Sequence, residues 1–187
     1  LRQATCHVVL RRTKEQCLDL PPKTRVRVDV EPSPTDRARY AEAVAQARRR
    51  RAEGGGEGAA LALLTAVRQA ASEAKAGAAL EVCSELLAQG RSVVIFVAYL
   101  STVDALAEGL EKLGTTALRV VGGQSARERQ QAVDTFQKPG GPPRAVVCTF
   151  GAGGVGLTLT RASDVVLVDR PWTAGDAVQA EDRVHRI

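Results

Sequence analysis

The chain has 187 residues, enough to bury roughly 70% of its unfolded surface around a sizeable core, and its 44% apolar and 25% charged content fits a globular domain. The longest apolar run, Val93 to Leu100, falls far short of the roughly 18 residues that span a bilayer, and no signal-peptide pattern is present, so neither a membrane span nor secretion is expected. The net charge of +5 is unevenly placed: residues 1–53 hold 13 Lys+Arg against 7 Asp+Glu, whereas the remainder holds 13 against 14, so the excess basicity sits in the first quarter.

In chain order, Cys6 to Leu18 reads as a basic helix that Leu20-Pro21-Pro22 breaks. Thr24 to Val30 alternates as Thr-Arg-Val-Arg-Val-Asp-Val, the period-two pattern of a strand with Val26, Val28 and Val30 on one face. Ser33-Pro34-Thr35-Asp36 opens a second helix with a capping serine, a proline at the first helical position and an acid in the first turn. That helix runs into Arg48 to Arg51 and ends at the glycine cluster 54–58, a solvated edge or a phosphate-binding strip. Arginine supplies 21 of the 26 cations, which suits phosphate or carboxylate recognition because the guanidinium fork binds two oxygens, although a coding preference for arginine gives the same count.

From residue 59 the pattern is regular. An alanine-rich helical stretch, with Gly77 as the candidate interruption, runs to Gln89 and stops at Gly90. Ser92 to Ala98, Ala117 to Val121, Ala145 to Phe150 and Asp164 to Val168 are short valine-rich apolar runs, as expected of parallel strands covered on both faces. Amphipathic helices are predicted at Thr102 to Leu113 and at Ser125 to Gln137, the latter opened by the capping box Ser125-x-x-Glu128. The sequence therefore predicts an α/β fold with a doubly wound parallel sheet. Cys6, Cys17, Cys83 and Cys148 include no C-x-x-C pair, so we expect buried thiols and no metal site.

In such sheets ligands bind beyond the carboxyl ends of the strands. The glycine loop after the third strand satisfies G-x-G-x-x-G at Gly151, Gly153 and Gly156, with Asp169 lying 18 residues after Gly151, which resembles a dinucleotide fingerprint. The stretch Leu157 to Asp164 is too short for the crossover helix that fingerprint requires. Asp164-Val-Val-Leu-Val-Asp169 likewise imitates a magnesium-holding strand, but no Gly-Lys dipeptide exists to form the partner phosphate loop.

The last segment decides between these readings. Gln179-Ala-Glu-Asp-Arg-Val-His-Arg-Ile187 resembles the terminal helicase motif of the SNF2 family of DNA-dependent ATPases, and other segments follow in the family's order. Gly151 to Leu159 resembles its glycine-rich motif, Asp169-Arg-Pro-Trp-Thr its D-x-x-W-N-P stretch, Gly122 to Arg129 its G-S/T-x-x-x-x-R segment, and Leu20-Pro-Pro-Lys23 its L-P-P-K brace. The chain departs from the family pattern at Gly122, Thr158 and Thr173. Ser72-Glu-Ala-Lys75 resembles the fork-remodelling, annealing-helicase branch, with chromatin remodellers the close rival.

The resemblance implies a RecA-like helicase C-terminal lobe over residues 59–187, preceded by a basic brace at 1–53 and a glycine linker at 54–58. It implies a second motor lobe of an ATP-dependent double-stranded DNA translocase, nuclear in location. A first RecA-like lobe would hold most of ATP and Mg2+, and forked DNA or nucleosomes would be further partners. Arg186 and Arg183, three apart and expected on one helical face, would be arginine fingers; Gln179, Gly154 and Gly156 would meet ATP. Trp172, Thr149, Gly151, Gly153, Gly123, Ser125, Ser101 and Thr102 would meet DNA. The alternatives are a dinucleotide-cofactor module or a DNA-binding lobe without hydrolysis. The absence of methionine fits a piece of a longer protein, inactive on its own, with one cut between the lobes and the other inside the terminal motif.

Overall fold

The computed structural model describes residues 14–17, 19–54, 57–153 and 157–186. Its elements are a short helix α1 (Lys14–Cys17), α2 (Pro34–Ala52), α3 (Glu57–Ala74), α4 (Ala76–Ala88), β1 (Val93–Val97), α5 (Leu100–Lys112), β2 (Ala117–Val120), α6 (Ala126–Gln137), β3 (Ala145–Thr149), α7 (Phe150–Gly153), β4 (Asp164–Leu167) and α8 (Ala174–Glu181). The four strands form one parallel sheet in the order β2-β3-β1-β4, with Val94 opposite both Val146 and Val165 and Leu118 opposite Val146.

The sheet is covered on both faces, which explains the valine-rich runs. Val93, Ile95 and Val97 of β1 face a cluster with Cys83 of α4 and Val103, Leu106 and Leu110 of α5. Val94 and Phe96 face the other cluster, with Val133 and Phe136 of α6, Leu159, Ala180 and Val184. All five β1 side chains are fully buried, and each contributes about 1.5–3 kcal/mol of hydrophobic stabilisation. Gly90 and Gly114 end α4 and α5 with φ of 79° and 77°, left-handed values that glycine adopts without a Cβ penalty.

The capping signals act as read. Ser33 accepts a hydrogen bond from the Asp36 N–H at the start of α2, and the Ser125–Glu128 capping box opens α6. The alanine-rich stretch breaks at Lys75 rather than Gly77, because the Lys75 side chain is drawn to the end of β4 while Gly77 sits unobstructed within α4. Burial pushes the Cys83 and Cys148 thiols up to about 12. Cys17, expected buried, is exposed, and Cys6 lies outside the described residues.

The strand predicted at Thr24 to Val30 does not form. Residues 19–33 carry no regular structure, and Val26 and Val28 are 80% and 58% exposed. Alternation alone cannot make a strand without a neighbouring edge to supply the ladder, and here the segment is held by ion pairs to the far end of the chain. Of the basic helix expected at Cys6 to Leu18, only Lys14–Cys17 is described. Among the described residues no helix is long and apolar enough to cross a membrane.

Candidate functional site

The candidate residues fall largely in three segments: the stretch after β3, which contacts residues 182–186 beyond α8, and the turn after β4. Thr149 closes β3 half-buried and Gly151 is exposed within α7, where an added Cβ would meet nothing within 4 Å. Gly153 ends α7; Gly154 and Gly156 lie outside the described residues. The loop is tied to the arginine segment by the Leu159 N–H, which donates to the Arg183 carbonyl at 2.9 Å.

The two arginines do not share a helical face. The α8 helix ends at Glu181, and residues 182–186 form turns anchored by the buried Val184. Arg183 is 8% exposed, and burial followed by the neighbouring Arg186 charge lowers its pKa. Exposed Arg186 donates from Nε to the Asp182 carbonyl at 3.0 Å and from Nη1 to the Thr158 hydroxyl at 3.4 Å, so its guanidinium sits beside Thr158. Gln179 is exposed on α8, which Thr173 caps by accepting from the Asp176 N–H at 3.1 Å.

The turn after β4 is fixed by a buried polar network. Asp169 is 6% exposed and accepts from the Ser72 hydroxyl at 2.6 Å, Lys75 Nζ at 2.7 Å and the Ala98 N–H at 2.9 Å. Thr102 is fully buried and shares a 2.8 Å hydrogen bond with Ser72. Its hydroxyl joins α5 to α3 and is closed to solvent, so Thr102 is not placed to meet a phosphate as the sequence suggests. Ser101 is exposed but donates to Glu73 at 2.7 Å and accepts from Gln69 at 3.1 Å; neither it nor Thr102 caps α5. Trp172 is 65% exposed, with the Arg68 guanidinium 4.0 Å from its ring centroid and Arg68 Nη2 donating to the Arg170 carbonyl. At the end of β2, Gly123 takes φ of 90°, and the Ser125 hydroxyl is engaged as the α6 cap.

The sequence pattern did not reveal Lys23 and Arg25 as neighbours of the terminal motif. Lys23 Nζ lies 3.4 Å from Glu181 and 2.6 Å from Asp182, and Arg25 binds both Glu181 oxygens at 2.9 and 2.7 Å. His185 Nε2 is 2.7 Å from the Pro21 carbonyl oxygen. The available signal was charge complementarity between Lys-Thr-Arg and Glu-Asp, which gains meaning only once residues over 150 positions apart are placed together. Among the described residues no group of three His, Cys, Asp or Glu side chains could hold a metal ion.

Residues 78–187 match the family model of the helicase conserved C-terminal domain. The chain belongs to that family. Within it the chain is a SNF2-type C-terminal lobe with a RecA-like fold. It is 36% identical over 129 residues to the DNA annealing helicase and endonuclease ZRANB3 of Homo sapiens, covering 68% of this chain and 12% of that protein. It is also 36% identical over 117 residues to the SWI/SNF-related matrix-associated actin-dependent regulator of chromatin subfamily A-like protein 1 of Xenopus tropicalis, covering 62% of this chain and 12% of that protein. The lobe thus spans about an eighth of the length of these curated relatives. Among solved structures, the Sulfolobus solfataricus SWI2/SNF2 ATPase core in complex with dsDNA superposes over 100% of this chain and 43% of its own, with a TM-score of 0.74 and 26% identity.

Proposed function

We propose that the lobe is the second half of an ATP-driven double-stranded DNA translocase, supplying arginines to a nucleotide held mainly by a first lobe. The observation that carries this reading is the pairing of the arginine segment with residues 158 and 159, through Arg186 on the Thr158 hydroxyl and the Leu159 N–H on the Arg183 carbonyl. A guanidinium at that position suits the charge that develops on transferred phosphoryl oxygens, and such a finger contributes about 10³ to 10⁵ in rate. In this reading Arg186 is the finger and Arg183 its companion, with Gln179 and the loop at Gly154 and Gly156 beside the nucleotide. Magnesium would neutralise phosphate charge when bound, and its ligands belong to the first lobe.

On the DNA side, the exposed ring of Trp172, backed by Arg68, would lie against the duplex. Thr149, Gly151, Gly153, Gly123, Ser125 and Ser101 would approach phosphates, in contacts that position the lobe without reading sequence. The DNA annealing helicase and the chromatin regulator among the relatives support DNA as the partner; forked DNA or nucleosomes and a nuclear location are part of this reading, and the Ser72-Glu-Ala-Lys75 segment favours the annealing-helicase branch.

Two features weigh against a dinucleotide-cofactor module. The only helix among the described residues between β3 and β4 is the four-residue α7, with 157–163 non-helical, and the acid that would hold a ribose, Asp169, is buried and bonded to Ser72, Lys75 and Ala98. The test is ATP hydrolysis by the full-length protein with and without duplex. Strong stimulation by duplex is expected; duplex binding without turnover would replace the motor with a non-hydrolysing lobe, and nicotinamide binding without DNA would restore the cofactor reading.

A further inference from the structure

The turn between β4 and α8 is held from α3 by a row of side chains. Arg68 and Ser72 stand four residues apart, about one helical turn, and Lys75 follows three later, so the three lie along one side. Lys75 Nζ donates to the Val168 carbonyl and to one Asp169 oxygen, Ser72 donates to the other, and Arg68 reaches the Arg170 carbonyl and the Trp172 ring. The row thus runs antiparallel to the turn, with Ser72 and Asp169 buried at its inner end and Arg68 partly exposed at its outer end.

Trp172 depends on that outer end. It is 65% exposed, residues 168–173 carry no helix or strand, and the next fixed point is Thr173, the α8 cap. A ring so exposed has little packing to set its orientation. The Arg68 guanidinium lies 4.0 Å from the ring centroid while Nη2 donates to the Arg170 carbonyl at 2.6 Å. A planar guanidinium can cover a π face and donate from its edge together, whereas an ammonium carries the same charge without the plane.

We infer that Arg68 is a positioning residue for Trp172: by stacking on one ring face and holding the Arg170 carbonyl, it keeps the opposite face open as a contact surface for duplex DNA. The effect on binding rests on the reading above that Trp172 meets the duplex; the effect on the ring does not. Because the same helix holds Asp169, the ring is set relative to the end of β4 and hence to the sheet.

The test uses the full-length protein and its affinity for a duplex. In Arg68→Ala the Kd is expected to rise about 3- to 10-fold, the scale of one cation–π contact. In a Trp172→Ala background the same substitution is expected to change Kd by less than about twofold, since no ring is left to position. Arg68→Lys is expected to bind as weakly as Arg68→Ala, because charge without the plane does not hold the ring. A direct phosphate contact by Arg68 would instead give equal losses in both backgrounds and lower the salt slope by about one. Equal losses, recovery by lysine, or no loss would each overturn the positioning role. If the unaltered protein binds no duplex, the DNA reading fails by itself, and near-ultraviolet circular dichroism then decides on Arg68. The Trp172 signal, taken as the difference between each protein and its Trp172→Phe counterpart, is expected to be largely lost in Arg68→Ala; an unchanged signal refutes the inference.

Discussion

Two acid–base assemblies hold the carboxyl rim of this lobe, and they are built on different principles. Asp169 is buried, accepts three hydrogen bonds and ties α3, β1 and β4 into one unit. Glu181 and Asp182 instead meet Lys23 and Arg25 in partly exposed pairs, with Arg25 66% exposed and the Lys23 and Asp182 side chains 24% and 26% exposed. A buried, fully bonded charge is costly to disrupt and fixes geometry; a pair with an exposed member such as Arg25 contributes less to stability and is more open to screening by salt. One assembly fixes the turn that leads to Trp172, and the other holds the segment that carries Arg186.

The contrast is broken most severely by Asp169→Ala. Removing the carboxylate strands Lys75, the Ser72 hydroxyl and the Ala98 N–H. Because Lys75 keeps partial exposure, we expect a loss near the lower end of the buried-pair range, about 3 kcal/mol of unfolding free energy by denaturant titration. A loss under about 1 kcal/mol would show that the two assemblies are energetically alike.

A smaller effect is expected from pH. The hydrogen bond from Arg25 is the largest influence holding the Glu181 carboxyl below the usual glutamate range. A depressed folded pKa adds stability that is fully present above the unfolded value of about 4.3 and lost as pH falls through the lower folded value. Hydrogen exchange at 182–186 should therefore be flat from pH 7 to about 5, after correction for the intrinsic pH dependence of exchange, and should rise below about pH 4. A rise between pH 6 and 7 would assign control of the segment to another group.

The smallest effect concerns the core. Cys83 and Cys148, with thiols pushed up to about 12 by burial, should resist alkylation at pH 7.5 while exposed Cys17 reacts, as read by mass spectrometry of the native protein. Rapid modification of Cys148 would mean that β3 opens readily.

These assemblies differed equally in how far sequence revealed them. The strands, α5, α6 and the Ser125 capping box were legible because local periodicity and turn chemistry fix them. The terminal arginine motif was legible as a pattern, but its helical projection was not: α8 stops at Glu181, where the chain turns so that Val184 enters the core. Thr24 to Val30 misled because a period-two pattern signals strand competence, whereas the strand itself depends on a free sheet edge. Thr102 and Asp169 stand beside plausible ligand positions in sequence, yet folding turns both inward to satisfy Ser72 and Lys75. Contacts between distant polar residues carry no local signal.

The central claim, that Arg186 completes a nucleotide site formed with a first lobe, is tested most directly by Arg186→Ala in the full-length protein, measuring duplex-stimulated ATP hydrolysis and ATP binding together. Turnover is expected to fall by about 10³-fold or more while ATP binding stays measurable. Turnover within about tenfold of the unaltered protein would contradict the claim.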